Sequence, residues 1–223
     1  MNGAMRSSGE TRGTRDWLVD RLLGSLVNHP WSRLVRSRVR DAWWEARGLG
    51  LRNPALPARR RTLLFVCKGN ICRSPFAAIA ATRRLEDAGI RDVSCSSAGF
   101  KLSGETRSPR QAVEAARRYG VSLESHRSTA LTVGLMQAAD AVIVMEAAHL
   151  TLLRRRYPAQ RSRIYLLPLY SPEADRCRGY LRYTIVDPYG QPRQAFDVCY
   201  ARVAKALDGM FATMFGGEGW GRA

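Results

Sequence analysis

A cysteine, an arginine and a serine lie close together in the 223-residue sequence: Cys67, Arg73 and Ser74. Between the cysteine and the arginine stand Lys68, Gly69, Asn70, Ile71 and Cys72. A cysteine thiolate is a nucleophile, and the planar guanidinium of an arginine can hold two oxygens of a phosphoryl group. The serine hydroxyl can donate to the sulfur and help it to leave in a later step. The spacing therefore predicts a site at which a phosphoryl group is transferred to Cys67 and then released.

The residues on either side of this motif predict the structure that holds it. Residues 62–67 are an apolar run of strand length, and a Ser-Pro pair opens a predicted helix over residues 74–88. The first N–H groups of a helix have no partner within it, and the helix dipole favours negative charge there. Gly69 lets the backbone approach a ligand closely, and Asn70 tolerates a left-handed turn. We expect a phosphate-binding loop in which the helix and Arg73 favour the thiolate form of Cys67.

A phosphoryl transfer of this kind also needs a group that protonates the departing oxygen and later accepts a proton from water. Asp187 is the candidate, because it follows the last predicted strand and the adjacent Pro188 stiffens the backbone beside the carboxylate. An Asp-Pro pair alone is an ordinary turn signal. Together with the cysteine loop, it predicts that Asp187 acts first as general acid and then as general base.

Strand and helix patterns alternate along the rest of the chain. Predicted strands cover residues 62–67, 93–97, 141–145 and 164–167, and predicted helices cover 74–88, 108–119, 134–139, 147–157 and 191–215. This alternation is typical of an α/β fold, with a mostly parallel sheet covered by helices on both faces. In such sheets ligands bind at the carboxyl ends of the strands, where Cys67 lies.

The N-terminal part of the chain is basic. The whole chain carries a net charge of +17, and residues 1–61 hold 13 arginines against five acidic residues. Residues 14–46 carry an apolar stripe with tryptophans opposite arginines, which fits either peripheral contact with an anionic membrane or a helical hairpin packed on the main domain. Residues 51–61 are predicted to be a linker. No nucleic-acid partner is expected, because charge is the only feature that would support one.

The cysteines and histidines indicate the compartment of the protein and whether it binds a metal. Five cysteines without close repeats do not suggest a disulfide framework, so a reducing compartment, the cytoplasm, is expected. The sequence shows neither a secretory signal nor an apolar run long enough to span a membrane. His126 and His149 do not stand at metal-ligand spacing with other candidate ligands, so we expect no metal and no cofactor. His126 is expected to brace the loop rather than to react.

The motifs together resemble those of the low-molecular-weight protein tyrosine phosphatases. The resemblance covers residues 62–215 and follows five segments in order: 66–75, 96–99, 126–128, 139–145 and 186–190. It implies a four-stranded parallel sheet with flanking helices. A helical extension (1–61), which has no counterpart in the minimal family fold, precedes this domain, and a short tail (216–223) follows it. The resemblance also implies metal-free hydrolysis of phosphotyrosine through a phosphocysteine. Cys67, Arg73 and Asp187 would be catalytic, and Lys68, Gly69, Asn70, Ile71, Cys72 and Ser74 would bind the substrate.

Other functions on the same fold remain to be compared. Arsenate reductases of this kind need two further cysteines in mid-chain, whereas residues 122–167 contain none. Arginine phosphatases of the same fold carry threonine where Ile71 stands, so Ile71 favours an aryl phosphate. A phosphate-binding adaptor without activity would be expected to lack Cys67 or Asp187.

Two further expectations follow from the resemblance. The aromatic residue that the family carries in the segment at 101–104 is missing, and Phe100 is the nearest aromatic residue that could replace it. Cys67 and Cys72 are expected to form a reversible disulfide that protects the nucleophile from over-oxidation. The substrate would be a phosphotyrosine protein, with a bacterial tyrosine kinase as one candidate. The oligomeric state is not predicted.

Overall fold

The computed structural model describes residues 51–56, 61–102, 104–174 and 179–216. The first 50 residues lie outside this part of the chain, and with them the amphipathic segment predicted over 14–46. Cys177 and residues 217–223 also lie outside the described residues.

The described elements alternate as the sequence predicts. The strands are β1 (Thr62–Cys67), β2 (Ser94–Gly99), β3 (Ala141–Val144) and β4 (Ile164–Leu166). The α-helices are α1 (Arg73–Asp87), α2 (Arg110–Arg117), α3 (Val133–Ala138), α4 (Ala147–Arg156) and α5 (Arg193–Phe215). Short 3-10 helices occur at Pro158–Arg163, Leu167–Tyr170 and Gly179–Tyr183.

The four strands form one parallel sheet in the order β2-β1-β3-β4. Leu64 of β1 lies opposite Ser96 on one side and Val142 on the other. Because β1 is an inner strand and the strands are parallel, the loop that follows Cys67 emerges between its two neighbours at the carboxyl edge of the sheet. The predicted α/β class with a four-stranded parallel sheet is confirmed.

Alternate residues of the strands enter two separate cores, as expected for a sheet covered on both faces. Leu63 and Phe65 pack with α1, α2 and α5, whereas Leu64 and Val66 pack with α3 and α4. The helix α5 also packs against the 3-10 helix Leu167–Tyr170. A Cβ at position 209 would collide with the carbonyl oxygen of Tyr170, so this close approach requires glycine at that position.

Residues 51–56 lie along the outer edge of β4, although the sequence predicts a linker there. The Asn53 side chain accepts a hydrogen bond from the Leu166 N–H (2.7 Å) and donates one to the Leu166 carbonyl (3.0 Å). The Tyr165 hydroxyl donates to the Ala55 carbonyl at 3.3 Å. This short segment is therefore held against the sheet.

Several elements begin or end one or two residues away from their predicted bounds, and for β2 the physical reason is clear. The second strand was expected over residues 93–97 but covers Ser94–Gly99. Ala98 and Gly99 pair with Val66 and Cys67, so β2 continues alongside β1 to its last residue. None of the helices in the described ranges is long and apolar enough to cross a membrane.

Candidate active site

The junction of β1 and α1 positions the cysteine and the arginine. Cys67 is the last residue of β1, as the sequence predicts, and Arg73 is the first residue of α1, one position before the predicted start of that helix. The N-terminus of α1 has no side-chain cap at Cys72. The first N–H groups of the helix are therefore available to an anion held between Cys67 and the helix.

Asn70 gives the loop its tight turn. Its backbone is left-handed, with φ of 52°, a conformation that asparagine tolerates better than most residues. The Nε2 atom of His126 lies 2.7 Å from the Asn70 carbonyl oxygen. A carbonyl can only accept, so Nε2 carries the proton and donates. His126 thus braces the loop, as expected from the sequence.

The Asn70 side chain ties the loop to three other segments. Its amide nitrogen donates to the hydroxyls of Ser74 (2.9 Å) and Ser97 (2.8 Å), and its carbonyl oxygen accepts from the Thr129 N–H (2.7 Å). Asn70 and Ser74 are fully buried behind the loop and do not line the cavity. The substrate-binding residues expected at 70 and 74 therefore support the loop from behind.

Two donors point towards the sulfur of Cys67. The Asn70 N–H lies 3.3 Å from the sulfur, and the Ser74 hydroxyl lies 3.1 Å from it. Because the Ser74 oxygen already accepts from the Asn70 amide, its own proton can be directed to the sulfur or to the Ala98 carbonyl at 3.4 Å.

Arg73 is buried between two carboxylates. One guanidinium nitrogen donates to Glu146 and to the Ile185 carbonyl (3.0 Å), and the other donates to Asp187 at 2.6 Å. Burial opposes its charge, but the neighbouring Cys67, Asp187 and Glu146 outweigh that effect and raise the pKa of Arg73. The guanidinium is therefore fixed in position, and Asp187 lies beside it although the two residues are far apart in sequence.

Glu146 is a site residue that the sequence reasoning missed. It lies two residues after the end of β3, and an acidic residue at the carboxyl end of a buried strand is the signal that could have identified it. Its carboxylate also contacts His149 Nε2 at 3.3 Å and the Tyr180 hydroxyl at 3.5 Å. Burial, followed by the charge of Arg73, lowers the pKa of His149 to about 3. His149 is therefore neutral near neutral pH. Ser97, whose hydroxyl accepts a hydrogen bond from the Asn70 amide, is a second site residue that the sequence reasoning missed.

The loop opens into a cavity of about 220 Å³. Its lining consists of Cys67, Lys68, Gly69, Ile71, Cys72, Arg73, Lys101, Leu102, Gly104, Thr106, Asp187 and Tyr189. Lysine side chains and Arg73 make it attractive to an anion, and Tyr189, which is 61% exposed, provides an aromatic surface beside it. Phe100 instead packs edge-on against His149, with ring centroids 4.9 Å apart. It does not replace the missing aromatic residue in the cavity wall.

The cysteines that the structure describes are all free: Cys67, Cys72, Cys95 and Cys199. Burial raises the pKa of the Cys72 thiol, so it is held in the protonated form. The reversible disulfide between Cys67 and Cys72 stays a prediction. Cys199 belongs to the larger core and Cys95 packs against it, as expected for packing residues. In the described ranges, no group of three or more histidine, cysteine, aspartate or glutamate side chains could hold a metal ion.

Comparison with known proteins decides what this arrangement belongs to. A family model described as "low molecular weight phosphotyrosine protein phosphatase" matches residues 62–216. The chain belongs to this family. A low-molecular-weight protein-tyrosine-phosphatase of Streptomyces coelicolor is 36% identical over 156 residues, which cover 67% of this chain and 91% of that protein. The resemblance noted in the sequence is confirmed.

Solved structures of the family resemble the fold as well. The tyrosine phosphatase AmsI of Erwinia amylovora superposes with a TM-score of 0.59 at 28% identity, covering 69% of this chain and 92% of that one. The YwlE arginine phosphatase of Geobacillus stearothermophilus gives a TM-score of 0.57 at 25% identity, covering 67% and 90%. The protein is a phosphatase of the low-molecular-weight tyrosine type, and the two neighbours act on different phosphorylated side chains.

Proposed function

We propose that this phosphatase hydrolyses phosphotyrosine in proteins, with Cys67 as nucleophile, Arg73 as phosphate clamp and Asp187 as general acid and then general base. The single observation that supports this most is the position of Asp187. Its carboxylate lies 2.6 Å from the guanidinium of Arg73, in the wall of the cavity that Cys67 lines. Nucleophile, clamp and proton donor thus face one small space.

Substrate binding changes the partner of Arg73. Without substrate, one of its nitrogens donates to Asp187 and the other to Glu146. A phosphate dianion in the loop competes with Asp187 for the first nitrogen and repels its carboxylate. Asp187 then takes up a proton, because an opposite charge is replaced by a like charge beside it. Binding the phosphate thereby prepares the general acid.

In the first step, the sulfur of Cys67 attacks phosphorus and the bond between phosphorus and the tyrosyl oxygen breaks. The proton on Asp187 passes to that oxygen, so a neutral phenol leaves. Arg73 and the N–H groups at the start of α1 stabilise the charge on the transferred oxygens. The phosphoryl group is now bound to sulfur.

In the second step, a water molecule attacks phosphorus and gives a proton to the Asp187 carboxylate. The bond between phosphorus and sulfur breaks, and inorganic phosphate is released. The sulfur leaves as a thiolate, which the Ser74 hydroxyl at 3.1 Å can stabilise. Neither step needs a metal ion.

The cavity wall supports an aryl substrate over a phosphoarginine. Ile71, Leu102 and Tyr189 offer apolar and aromatic surface at the mouth, against which a phenol ring can pack. In this proposal Lys68 and Lys101 attract the phosphorylated segment of the substrate. A bacterial tyrosine kinase is one candidate for that substrate.

The extension contributes location rather than chemistry in this proposal. Residues 1–61 are a basic extension of the cytoplasmic enzyme that is tied to the sheet at 51–56, and their segment 14–46 contacts an anionic membrane peripherally. The catalytic domain is 62–215. Replacing Arg33, Arg36 and Arg40 by glutamate in the full chain should abolish flotation with anionic vesicles. Unchanged flotation would reject the membrane contact.

The decisive test compares the purified protein with Cys67→Ser and, as a matched control, Cys95→Ser. Wild type and Cys95→Ser should hydrolyse p-nitrophenyl phosphate at the same rate, with or without a chelator. Cys67→Ser should lose turnover and still bind phosphate. Turnover that survives in Cys67→Ser would contradict the mechanism.

Substrate choice needs its own comparison. Peptides that carry phosphotyrosine, phosphoarginine or phosphoserine should be hydrolysed in that order of kcat/KM, and arsenate should not be reduced. Faster hydrolysis of phosphoarginine would reject the proposed substrate and leave the role of Cys67 untouched.

A further inference from the structure

A second basic recess lies apart from the catalytic cavity. It has a volume of about 610 Å³, and four arginines contribute to its lining: Arg52, Arg154, Arg155 and Arg161. Pro54, Asn53 and Ser162 complete the lining. The recess thus brings together arginines from three segments. Arg52 precedes β1, Arg154 and Arg155 lie near the end of α4, and Arg161 lies in the connection between α4 and β4.

Local contacts hold these arginines near one another. Asn53, next to Arg52, is fixed by its two hydrogen bonds to Leu166 of β4. The Arg154 guanidinium donates to the Ile164 carbonyl at 3.1 Å. Arg161 lies in the 3-10 helix Pro158–Arg163, which leads directly into β4. The arrangement is therefore formed by the fold itself.

Within the described ranges, no carboxylate is paired with the positive charges of the recess. Residues 147–172 contain five arginines and no acidic residue. Among the described residues, none of the four recess arginines pairs with a carboxylate. Burial and then the charge of Arg161 lower the pKa of Arg154, whose Nε is buried without a hydrogen-bond partner. An anion bound beside Arg154 and Arg161 would relieve the repulsion between these two charges.

The recess is distinct from the active site. The helix α4 starts beside Glu146, at the carboxyl edge of the sheet, and runs back to Arg156 at the opposite edge. Cys67 lies at the carboxyl end of β1, so the body of the sheet separates the two basic regions. A phosphate bound in the catalytic loop does not reach the recess.

We propose that this recess is a second anion site, which takes a phosphate group of a small polyphosphorylated molecule or of a lipid headgroup. Guanidinium groups bind phosphate oxygens through paired N–H donors, and several converging arginines favour more than one negative charge. The described lining holds no aromatic side chain on which a nucleobase could stack. A compact phosphate therefore suits the recess better than an extended nucleic acid.

The first test measures binding of methylenediphosphonate, which resists hydrolysis, to the full chain by calorimetry. The double variant Arg155→Glu/Arg161→Glu removes two recess charges, and Arg91→Glu/Arg193→Glu makes the same charge change at exposed positions elsewhere. We expect two sites in wild type and in the control pair. The recess pair should retain only the site that competes with p-nitrophenyl phosphate, with the other weakened at least about tenfold.

The second test uses phosphatidylcholine vesicles with and without phosphatidylglycerol. Loss of anionic-vesicle binding in the recess pair, but not in the control pair, assigns the phosphate to a lipid. An effect confined to methylenediphosphonate assigns it to a soluble ligand. Either result supports the site. Equal behaviour of the two pairs in both assays would overturn it.

The repulsion provides a third readout. Arg161→Gln should raise the Tm in low salt, because it removes a like charge from beside Arg154. The gain should disappear when methylenediphosphonate is present, since the wild-type recess is then neutralised. A gain that is independent of the anion would contradict an anion site. All of these measurements are independent of catalysis, so they stand or fall apart from the proposed mechanism.

Discussion

Arginines at the two edges of the sheet stand in opposite environments. Arg73, at the carboxyl edge, is 1% exposed and lies between Glu146 and Asp187. Arg155 and Arg161, at the amino edge, are exposed and have no carboxylate partner among the described residues. A buried charge is tolerated only when it is paired, whereas water can stabilise an exposed one. Two carboxylates therefore pair with Arg73 at the carboxyl edge, whereas no described carboxylate pairs with Arg155 or Arg161 at the amino edge.

This difference has a consequence for anion binding. In the proposed mechanism, a phosphate that enters the loop displaces Asp187 from Arg73, so that binding there is coupled to the protonation of Asp187. An anion in the recess displaces only water and counter-ions. Binding at the recess should therefore weaken steeply with added salt, because exposed charges are screened. Binding at the loop should depend more on pH.

The largest expected effect comes from the paired arginine. Arg73→Lys should lower kcat/KM for p-nitrophenyl phosphate by about a thousandfold, because lysine cannot bind two phosphate oxygens through a planar fork. Steady-state kinetics measures the loss. The same exchange at Arg155, on the other edge of the sheet, is the matched control and should leave the kinetics unchanged. A loss of less than tenfold for Arg73→Lys would show that a point charge suffices.

The next effect concerns the loop that presents Arg73. Asn70→Ala should lower kcat/KM by about a hundredfold and destabilise the fold by about 2–3 kcal/mol, because buried donors and acceptors lose their partner and alanine resists a positive φ. Asn70→Gly removes the same hydrogen bonds but accepts the φ of 52°. The difference between the two variants in urea unfolding isolates the backbone cost, about 1 kcal/mol. Equal stability of the two would refute a strained turn.

A smaller effect is expected at the carboxylate behind Arg73. Glu146→Gln keeps an acceptor but removes the charge, and should lower kcat/KM about tenfold with a loss of about 1 kcal/mol in stability. Glu173→Gln is the control, since Glu173 pairs with the exposed Lys205 at the surface. If both variants behaved alike, burial would not distinguish the two carboxylates.

Replacing His149 is expected to have the smallest effect on activity. Its contribution appears instead in how the stability of the protein depends on pH. Its pKa falls from 6.5 to about 3 in the folded protein, mainly through burial. Between these values the unfolded chain binds a proton that the native state refuses, so native stability falls as the pH drops through this window. His149→Gln should reduce that fall between pH 7 and pH 5 by about 1–2 kcal/mol. Identical pH profiles in urea unfolding would exclude this role.

Local sequence was sufficient to predict the strand, loop and helix that hold Cys67 and Arg73. Each of these residues is placed by its immediate neighbours: an apolar run on one side and a Ser-Pro helix start on the other. Asp187 could be named as the general acid because phosphoryl transfer to a cysteine requires a proton donor for the leaving oxygen. The pairing of β1 with β3, by contrast, brings Glu146 to Arg73 across 73 positions. The order of strands in a sheet is not written in any single segment. The position of Glu146 after an apolar strand could mark it as a site candidate, but its pairing with Arg73 could not be predicted.

The segment at 51–56 was missed for a different reason. Its composition, with proline and no periodic apolar pattern, is typical of a linker. Its attachment depends on one side-chain amide and on a strand more than a hundred residues away, which composition does not report. Phe100 shows the same limit, because its neighbour His149 comes from α4 on another part of the sheet.

The two hydrogen bonds of Asn53 have a further consequence for the free protein. In the described sheet, β4 pairs on one side only, and its other side would present unpaired N–H and C=O groups to solvent. Such an exposed edge strand recruits strands of other molecules and promotes aggregation. The amide of Asn53 occupies the donor and the acceptor of Leu166, the last residue of this edge strand, as a neighbouring strand would. It thereby removes one donor and one acceptor from the groups that a strand of another molecule could pair with, while the described sheet keeps four strands.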